Sequence, residues 1–474
     1  MKKRRRILSL FSAACLAITG IVSGAGVQKT EAAARTEVID VTDYGVYPDS
    51  GKDSAIGIQK AIAAAKDATK EGKEVKINFP EGRYDIYPDK AIERELYVSN
   101  TVGADQNNKM KKIGIFLEDM DHVTVDGNDS LFMFHGKMTT FATIGCEDVE
   151  FKNFAVDFQV PTVIDMTVES VEGNTATMYI PECYNYEVAG TTIKWYSDVS
   201  PYTGQRYWSI SDLSGYHTQR EDTVQGIKFG AGNGNAALKG VASIEDLGNH
   251  RVKITYNSKA GEVQNGMCFQ SRPTVRDHAG TFFWKSKDIR MTSLDIQFLH
   301  GFGMVGQHSE NITMEDVDFE APKESGRTTA GYADFVQMSG CKGAININNC
   351  TFAGPHDDPI NIHGTFNTVT SISSDRRTIT VQYNHHETAG FPNFFKGDEI
   401  EFMTKGNMIT VENSVRTVTK VDGPDGMGGN MGEGSGSLTT IKLTLDKAIP
   451  ADVQVNQHVV ENITYTPAVN ISNC

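Results

Sequence analysis

The heptapeptide Glu310-Asn-Ile-Thr-Met-Glu-Asp316 alternates apolar and polar residues and ends in a polar turn, the pattern of a short half-buried strand. It has close copies on both sides. Lys287-Asp-Ile-Arg-Met-Thr-Ser293 precedes it and Gly343-Ala-Ile-Asn-Ile-Asn-Asn349 follows it. Further out stand Asp121-His-Val-Thr-Val-Asp-Gly127, Glu147-Asp-Val-Glu-Phe-Lys-Asn153 and Pro467-Ala-Val-Asn-Ile-Ser-Asn473. Counted at the first apolar residue, the copies fall at 123, 149, 289, 312, 345 and 469, with intervals of 26, 140, 23, 33 and 124. The shorter intervals are one coil of a solenoid each, one of them carrying a loop, and the two long ones hold insertions.

A solenoid end exposes unpaired backbone and core, and the chain provides a cover for it. Val38 to Ser54 reads as a strand and a turn, Ala55 to Lys66 as a helix with Ile58 and Ile62 on one face, and Val75 to Tyr84 as a strand closed by a Pro-Glu-Gly turn. This order resembles the N-terminal cap of right-handed parallel β-helices of the pectin-lyase type. The fold class expected is therefore all-β: a right-handed parallel β-helix with a helix cap and two inserted small antiparallel β-barrel-like domains. The insertions carry hairpin patterns at Val168–Ile180, Val241–Tyr256 and Val369–Val381, and at Val418–Gly423 with Thr440–Leu445. A Gly/Met-rich tract, Gly423–Gly436, reads as a loop. The predicted boundaries are 1–34 signal peptide, 35–160 cap and first coils, 161–270 first insertion, 271–366 central coils with the site, 367–460 second insertion, and 461–474 the start of a further coil. Because that last coil stops at Cys474, the chain reads as a fragment, or as one whose edge another chain covers.

Composition narrows the function. The chain has 474 residues, 39% hydrophobic and 22% charged, with 45 Gly against 14 Pro, which suits a turn-rich globular protein and excludes collagen, coiled coil and wholesale disorder. Lys2 to Arg6 precede an apolar run from Ile7 to Val22, and Ala32, Ala33 and Ala34 supply small residues for cleavage before Arg35. A bacterial-type signal peptide and a secreted product are expected, with no membrane span. Removing that segment takes the formal charge from −15 to −20. A surface so acidic repels phosphate backbones and anionic lipids, which makes nucleic acid an unfavourable partner, and a pectate-like polyanion would need a local basic patch. The six remaining cysteines show no C-x-x-C spacing and read as free thiols.

Polar residues concentrate between 272 and 364. Aligning Asp334-Phe-Val-Gln-Met-Ser-Gly with Asp358-Pro-Ile-Asn-Ile-His-Gly puts Asp334 and Asp358 in equivalent slots of successive coils, one strand spacing of about 4.8 Å apart, with Asp357 adjacent. Crowded acids cannot all ionise freely, so at least one pKa should rise, as general acid–base catalysis requires. Strand alternation places Asp357 with Asn361 and His363 on one face and Asp358 with Ile360 on the other, while Pro355 and Pro359 suggest a corner; spacing alone does not say which aspartate faces the cleft. An isolated Asp-Asp pair would merely cap a turn. A third Asp one coil away, with His356, His363, Gln337 and Asn361 nearby, makes it a candidate site. His278, His300 and His308 lack metal-ligand spacing and fit sugar or corner hydrogen bonds better. Arg276 and Arg327 either orient carboxylates or form surface pairs, Trp284 fits core packing better than a sugar platform, and no nucleophile motif occurs.

The segments Arg276-Asp-His-Ala-Gly, His300-Gly-Phe-Gly-Met-Val, Ser325-Gly-Arg-Thr, Tyr332-Ala-Asp-Phe, Ser339-Gly-Cys and Gly354-Pro-His-Asp-Asp-Pro-Ile-Asn-Ile-His-Gly strongly resemble glycoside hydrolase family 110. The likeness runs from Asp43-Tyr-Gly through Phe134-His-Gly-Lys-Met and Phe154-Ala-Val-Asp-Phe to the last coil. It implies an exo-acting α-1,3-galactosidase on blood-group B or linear Galα1-3Gal glycans, inverting, with neither metal nor organic cofactor. By the same resemblance Asp334, Asp357 and Asp358 are the catalytic group; Arg276, Asp277, His300, Gln307, Arg327, His356, Asn361 and His363 are the candidate substrate-binding residues. The competing readings are a family 28-like polygalacturonase, whose R-I-K and G-H-G motifs are missing here, and a non-catalytic glycan-binding solenoid.

Overall fold

A computed structural model describes residues 36–101, 109–211, 217–222, 227–232, 237–258, 263–273, 275–385, 388–423 and 440–474. The expected signal peptide and nearly all of the Gly/Met-rich tract lie outside the described residues. The chain visits two parallel sheets in alternation. It starts with β1 (Glu37–Asp40), the helix α1 (Ala55–Lys70) and β2 (Val75–Asn78), followed by β3 (Ile92–Glu95), β4 (Met110–Glu118), β5 (Asp121–Phe134), β6 (Thr139–Ile144) and β7 (Glu147–Phe158). After the first insertion come β8 (Thr281–Trp284), β9 (Lys287–Ile296), β10 (Met304–Gln307), β11 (Glu310–Phe319), β12 (Val336–Ser339), β13 (Lys342–Asn348) and β14 (Ile360–His363); β15 (Ala468–Ser472) follows the second. One sheet runs in the order β1-β2-β5-β7-β9-β11-β13-β15 and the other β14-β12-β10-β8-β6-β4-β3, with β3 its only antiparallel member.

Register explains why the repeats stack. Val75, Val123, Val149, Ile289, Ile312, Ile345 and Val469 form one column of directly paired positions, which includes all six repeat positions read from the sequence. Two residues on, Val125, Phe151, Met291, Met314 and Ile347 form a second inward column, and all of them are fully buried. Each such side chain contributes roughly 1.5–3 kcal/mol by leaving water. The second residue of β7, β9 and β11 is left-handed, a conformation that short polar side chains tolerate. Asp148, Asp288 and Asn311 hold φ of 51, 54 and 55° there.

The helix α1 buries Ile58, Ala61, Ile62, Ala65 and Ala68 against the first rungs. It runs one turn beyond the sequence-based end at Lys66 because Ala68 extends the buried stripe. All four hairpin patterns pair antiparallel. The second insertion is a closed six-stranded barrel between Asn367 and Asn462. The first forms a seven-stranded antiparallel sheet whose edge strands, Ile227–Gly232 and Val241–Gly248, do not meet, so among the described residues it is an open sheet and not the barrel expected. Cys146, Cys341 and Cys350 are buried free thiols, Cys268 is buried with its thiol hydrogen-bonded to Asp165, and Trp284 packs in the core. No helix among the described residues is long and apolar enough to cross a membrane.

Candidate active site

The chain passes from the first sheet to the second through loops, one of which holds the first insertion, and the loops before β12 and β14 carry the acids. Val336 pairs with Ile360, which sets Asp334 and Asp358 one rung apart as the alignment predicts. The Asp358 N–H donates to Asp334 Oδ1 at 3.4 Å, and the Phe335 N–H donates to the Asp358 carbonyl at 3.0 Å. Strand alternation does not govern Asp357 and Asp358, because they lie in a bend ahead of β14. Asn361 Nδ2 donates to Asp334 Oδ2 and to Asp358 Oδ2, at 3.2 Å each, and so bridges two carboxylates. One oxygen from each of Asp334, Asp357 and Asp358 lies within 4.8 Å of the others. Gly303, at φ 53°, makes this possible: a Cβ there would sit 2.1 Å from the Asp334 carbonyl oxygen.

The three acids differ in exposure. Asp334 is 2% exposed, whereas Asp357 and Asp358 face solvent. Burial, reinforced by the charge of Asp357 and only partly offset by the Asn361 hydrogen bond, pushes the Asp334 carboxyl up to about 7. The cluster therefore holds a proton at neutral pH next to carboxylates open to water, which is the equipment of acid–base hydrolysis.

A second polar network runs along the same loops toward the cap. His300 Nδ1 meets Thr162 Oγ1 at 2.6 Å and His300 Nε2 meets Asp277 Oδ1 at 2.7 Å. Burial holds this imidazole near 4, so it is neutral and donates from Nε2 to the aspartate. Burial would raise Asp277, but His300 and His278 more than offset it and keep the carboxyl well below the usual range. Lys137 Nζ also reaches Asp277, at 3.0 Å. Asp277, His278 and His300 are close enough together to hold a divalent cation; Asp277 and His300 are committed to these hydrogen bonds and to an ammonium group, whereas His278 Nδ1 lies 3.3 Å from Asp277 Oδ1 and neither of its ring nitrogens makes a hydrogen bond among the described residues.

The predicted binding residues divide. Asn361 belongs to the carboxylate cluster. His356 is buried and accepts from Arg272 Nε at 3.2 Å; Arg272 lies over the Tyr332 ring and its charge faces Asp357. Arg276 lies over Phe302. Arg327 is neither a surface cation nor at the acids: it makes a buried two-pronged pair with Asp157, at 2.9 and 2.8 Å. Gln307 and His363 end β10 and β14, at the far end of the strands from the loops that carry Asp334 and Asp358. Gln307 is fully buried and accepts from the Ser99 N–H at 2.8 Å. Sequence reasoning missed Lys137, Asp157, Thr162 and the role of Arg272. Their partners lie 140, 170, 138 and 84 residues away, and no local spacing signals such pairs.

A partly protonated acid cluster on a stacked β scaffold and the comparisons with known proteins agree on a class, the glycoside hydrolases. Residues 378–425 match the GLAA-B β-barrel domain II. The α-1,3-galactosidase A of Streptomyces avermitilis is 44% identical over 92% of this chain and 68% of its own length. That of Peterkaempfera griseoplana is 40% identical over 92% of this chain and 60% of its own length. A solved putative glycosyl hydrolase from Parabacteroides merdae aligns at 11% identity and a TM-score of 0.29, covering 69% of this chain and 93% of its own. The chain belongs to the α-1,3-galactosidase family, glycoside hydrolase family 110.

Proposed function

We propose that this protein is a secreted exo-α-1,3-galactosidase that removes terminal galactose from blood-group B or linear Galα1-3Gal glycans with inversion. Its alternating sheets are read here as a right-handed parallel β-helix, with residues 161–270 and 367–460 as inserted domains and 271–366 as the catalytic coils. Asp334, Asp357 and Asp358 are the catalytic group. The observation that carries this is the meeting of the three carboxylates, one of them buried and raised to about 7, in a member of this family.

In the resting site the shared proton stays on Asp334, where ionisation is most costly. When substrate binds, Asp334 passes that proton to one of the solvent-facing pair Asp357 and Asp358, which donates it to the leaving oxygen, while the other takes a proton from the attacking water and returns it to Asp334 as the site resets. Inversion needs roughly 6.5–9.5 Å between the two carboxyl groups, and the observed oxygens within 4.8 Å lie nearer the retaining spacing of about 5–5.5 Å. The two exposed side chains supply the difference by turning apart around substrate and water. Arg272, His356 and Asn361 orient the acids, and His300, Asp277 and Arg276 line the approach. Incubation with a blood-group B trisaccharide, followed by NMR, tests the activity and its stereochemistry. β-Galactose should appear first; α-galactose first refutes inversion, and no release of galactose refutes the activity.

A further inference from the structure

A cavity of about 710 Å³ opens away from the carboxylate cluster, between the cap and the first insertion. At its floor lies His135, 4% exposed, with Nδ1 2.6 Å from Asp198 Oδ2 and Nε2 3.0 Å from Asp85 Oδ1. Its ring stacks on Tyr87 at 3.7 Å. Arg83 closes one side, with Nη2 donating to Asp85 at 2.6 Å and to Gln159 at 2.8 Å. The opposite wall offers the exposed side chains of Glu182 and Asn185, which have no hydrogen-bond partner among the described residues. His135 leads into β6, three strand spacings from β12 and four from β14, so this cavity is about 14–19 Å from the acids.

The lining selects a ligand class. Arg83, Arg206 and the His135 imidazole, whose pKa burial would lower but Asp198 and Asp85 more than offset and raise, oppose a metal cation, and Asp49, Asp85, Asp198 and Glu182 oppose an anion. Its polar surface gives an apolar ligand little to bury against. What remains is a neutral, hydroxyl-rich molecule, because each hydroxyl both donates to carboxylate or amide oxygen and accepts from guanidinium or amide N–H. The volume falls within the range of small-molecule sites, about 300–1,000 Å³. We propose that this cavity is a second carbohydrate-binding site, which holds a neutral sugar of the glycan or of its carrier while the carboxylate cluster works on the terminal residue.

The ligand class comes from this lining and not from the proposed activity, and the test separates the two. The full chain carrying Asp358→Asn, to suppress turnover, is titrated with galactose, fucose and N-acetyllactosamine by calorimetry and saturation-transfer NMR, with and without Glu182→Ala and Asn185→Ala. At least one sugar should show a binding event that the double substitution weakens roughly tenfold or more, the scale of one or two lost hydrogen bonds. On the Asp358-intact chain the same substitutions should leave kcat for a small aryl α-galactoside unchanged and raise KM for a larger glycan. If none of the sugars binds, or if all binding is indifferent to Glu182 and Asn185, the second site is refuted whatever the enzyme hydrolyses. Binding that is lost in the double variant of a chain that never releases galactose supports the second site and refutes only the activity.

Discussion

Asn361 bridges Asp334 and Asp358, and its amide favours the ionised form of Asp334. Removing it by Asn361→Ala should raise the Asp334 pKa above about 7 and shift the alkaline fall of kcat/KM to higher pH, at lower overall rate. A limb that stays in place in the pH–rate profile counts against Asp334 as the holder of the proton. Asp357→Asn and Asp358→Asn should each cut kcat by about 10²–10⁴-fold with unchanged circular dichroism; near-normal turnover in both would remove them from the mechanism. Asp334 also bears on stability. Its folded pKa lies above the ordinary value of 3.8, so the folded state takes up a proton, and stability falls as pH rises from about 4 through about 7. Asp334→Asn should therefore be inactive yet more stable than the parent in urea above pH 7, by at most about 4 kcal/mol.

At the scale of elements, the Arg327–Asp157 pair clamps the end of β7 to the loop that leads into β12 and so to Asp334. Both groups are buried, and removing one strands the other charge. Arg327→Met should cost about 3–5 kcal/mol in urea unfolding, with Asp157→Asn, Arg327→Met recovering part of it; a loss under 1 kcal/mol in the single variant, the range of about 0–1 kcal/mol for a surface pair, would contradict the clamp. The elements were largely legible in advance. Alternation, turn residues and the apolar stripe of α1 are properties of neighbours in the chain, and so the six rungs and four hairpins follow from spacing. The open edge of the first insertion was not legible, since closing a sheet depends on strands far apart in sequence meeting.

The second insertion docks on the solenoid through His308, which is buried beside Phe391, Phe395 and Tyr465 with Lys285 nearby. Burial and the Lys285 charge hold its imidazole near 4 against 6.5 for a free one. Unfolded chains take up that proton first, so the whole molecule should lose stability as pH falls from about 6.5 to about 4. His308→Gln should flatten this slope in thermal melts across that range, and an unchanged slope would place the acid sensitivity elsewhere, His300 being next.

Local spacing was enough to establish the rungs of this molecule, the column of aliphatic residues that stacks them, and the one-rung offset between Asp334 and Asp358, because these depend on period and pleat alone. Packing assigned everything that depends on desolvation and hydrogen-bond direction. It turned Arg327 away from the acids and onto Asp157, moved Gln307 and His363 to the wrong end of their strands, left Asp334 buried beside two exposed aspartates, and hollowed the cavity around His135. Those outcomes depend on loops and insertions brought together across scores of residues, and no pattern of neighbouring residues encodes which side chain then loses its water.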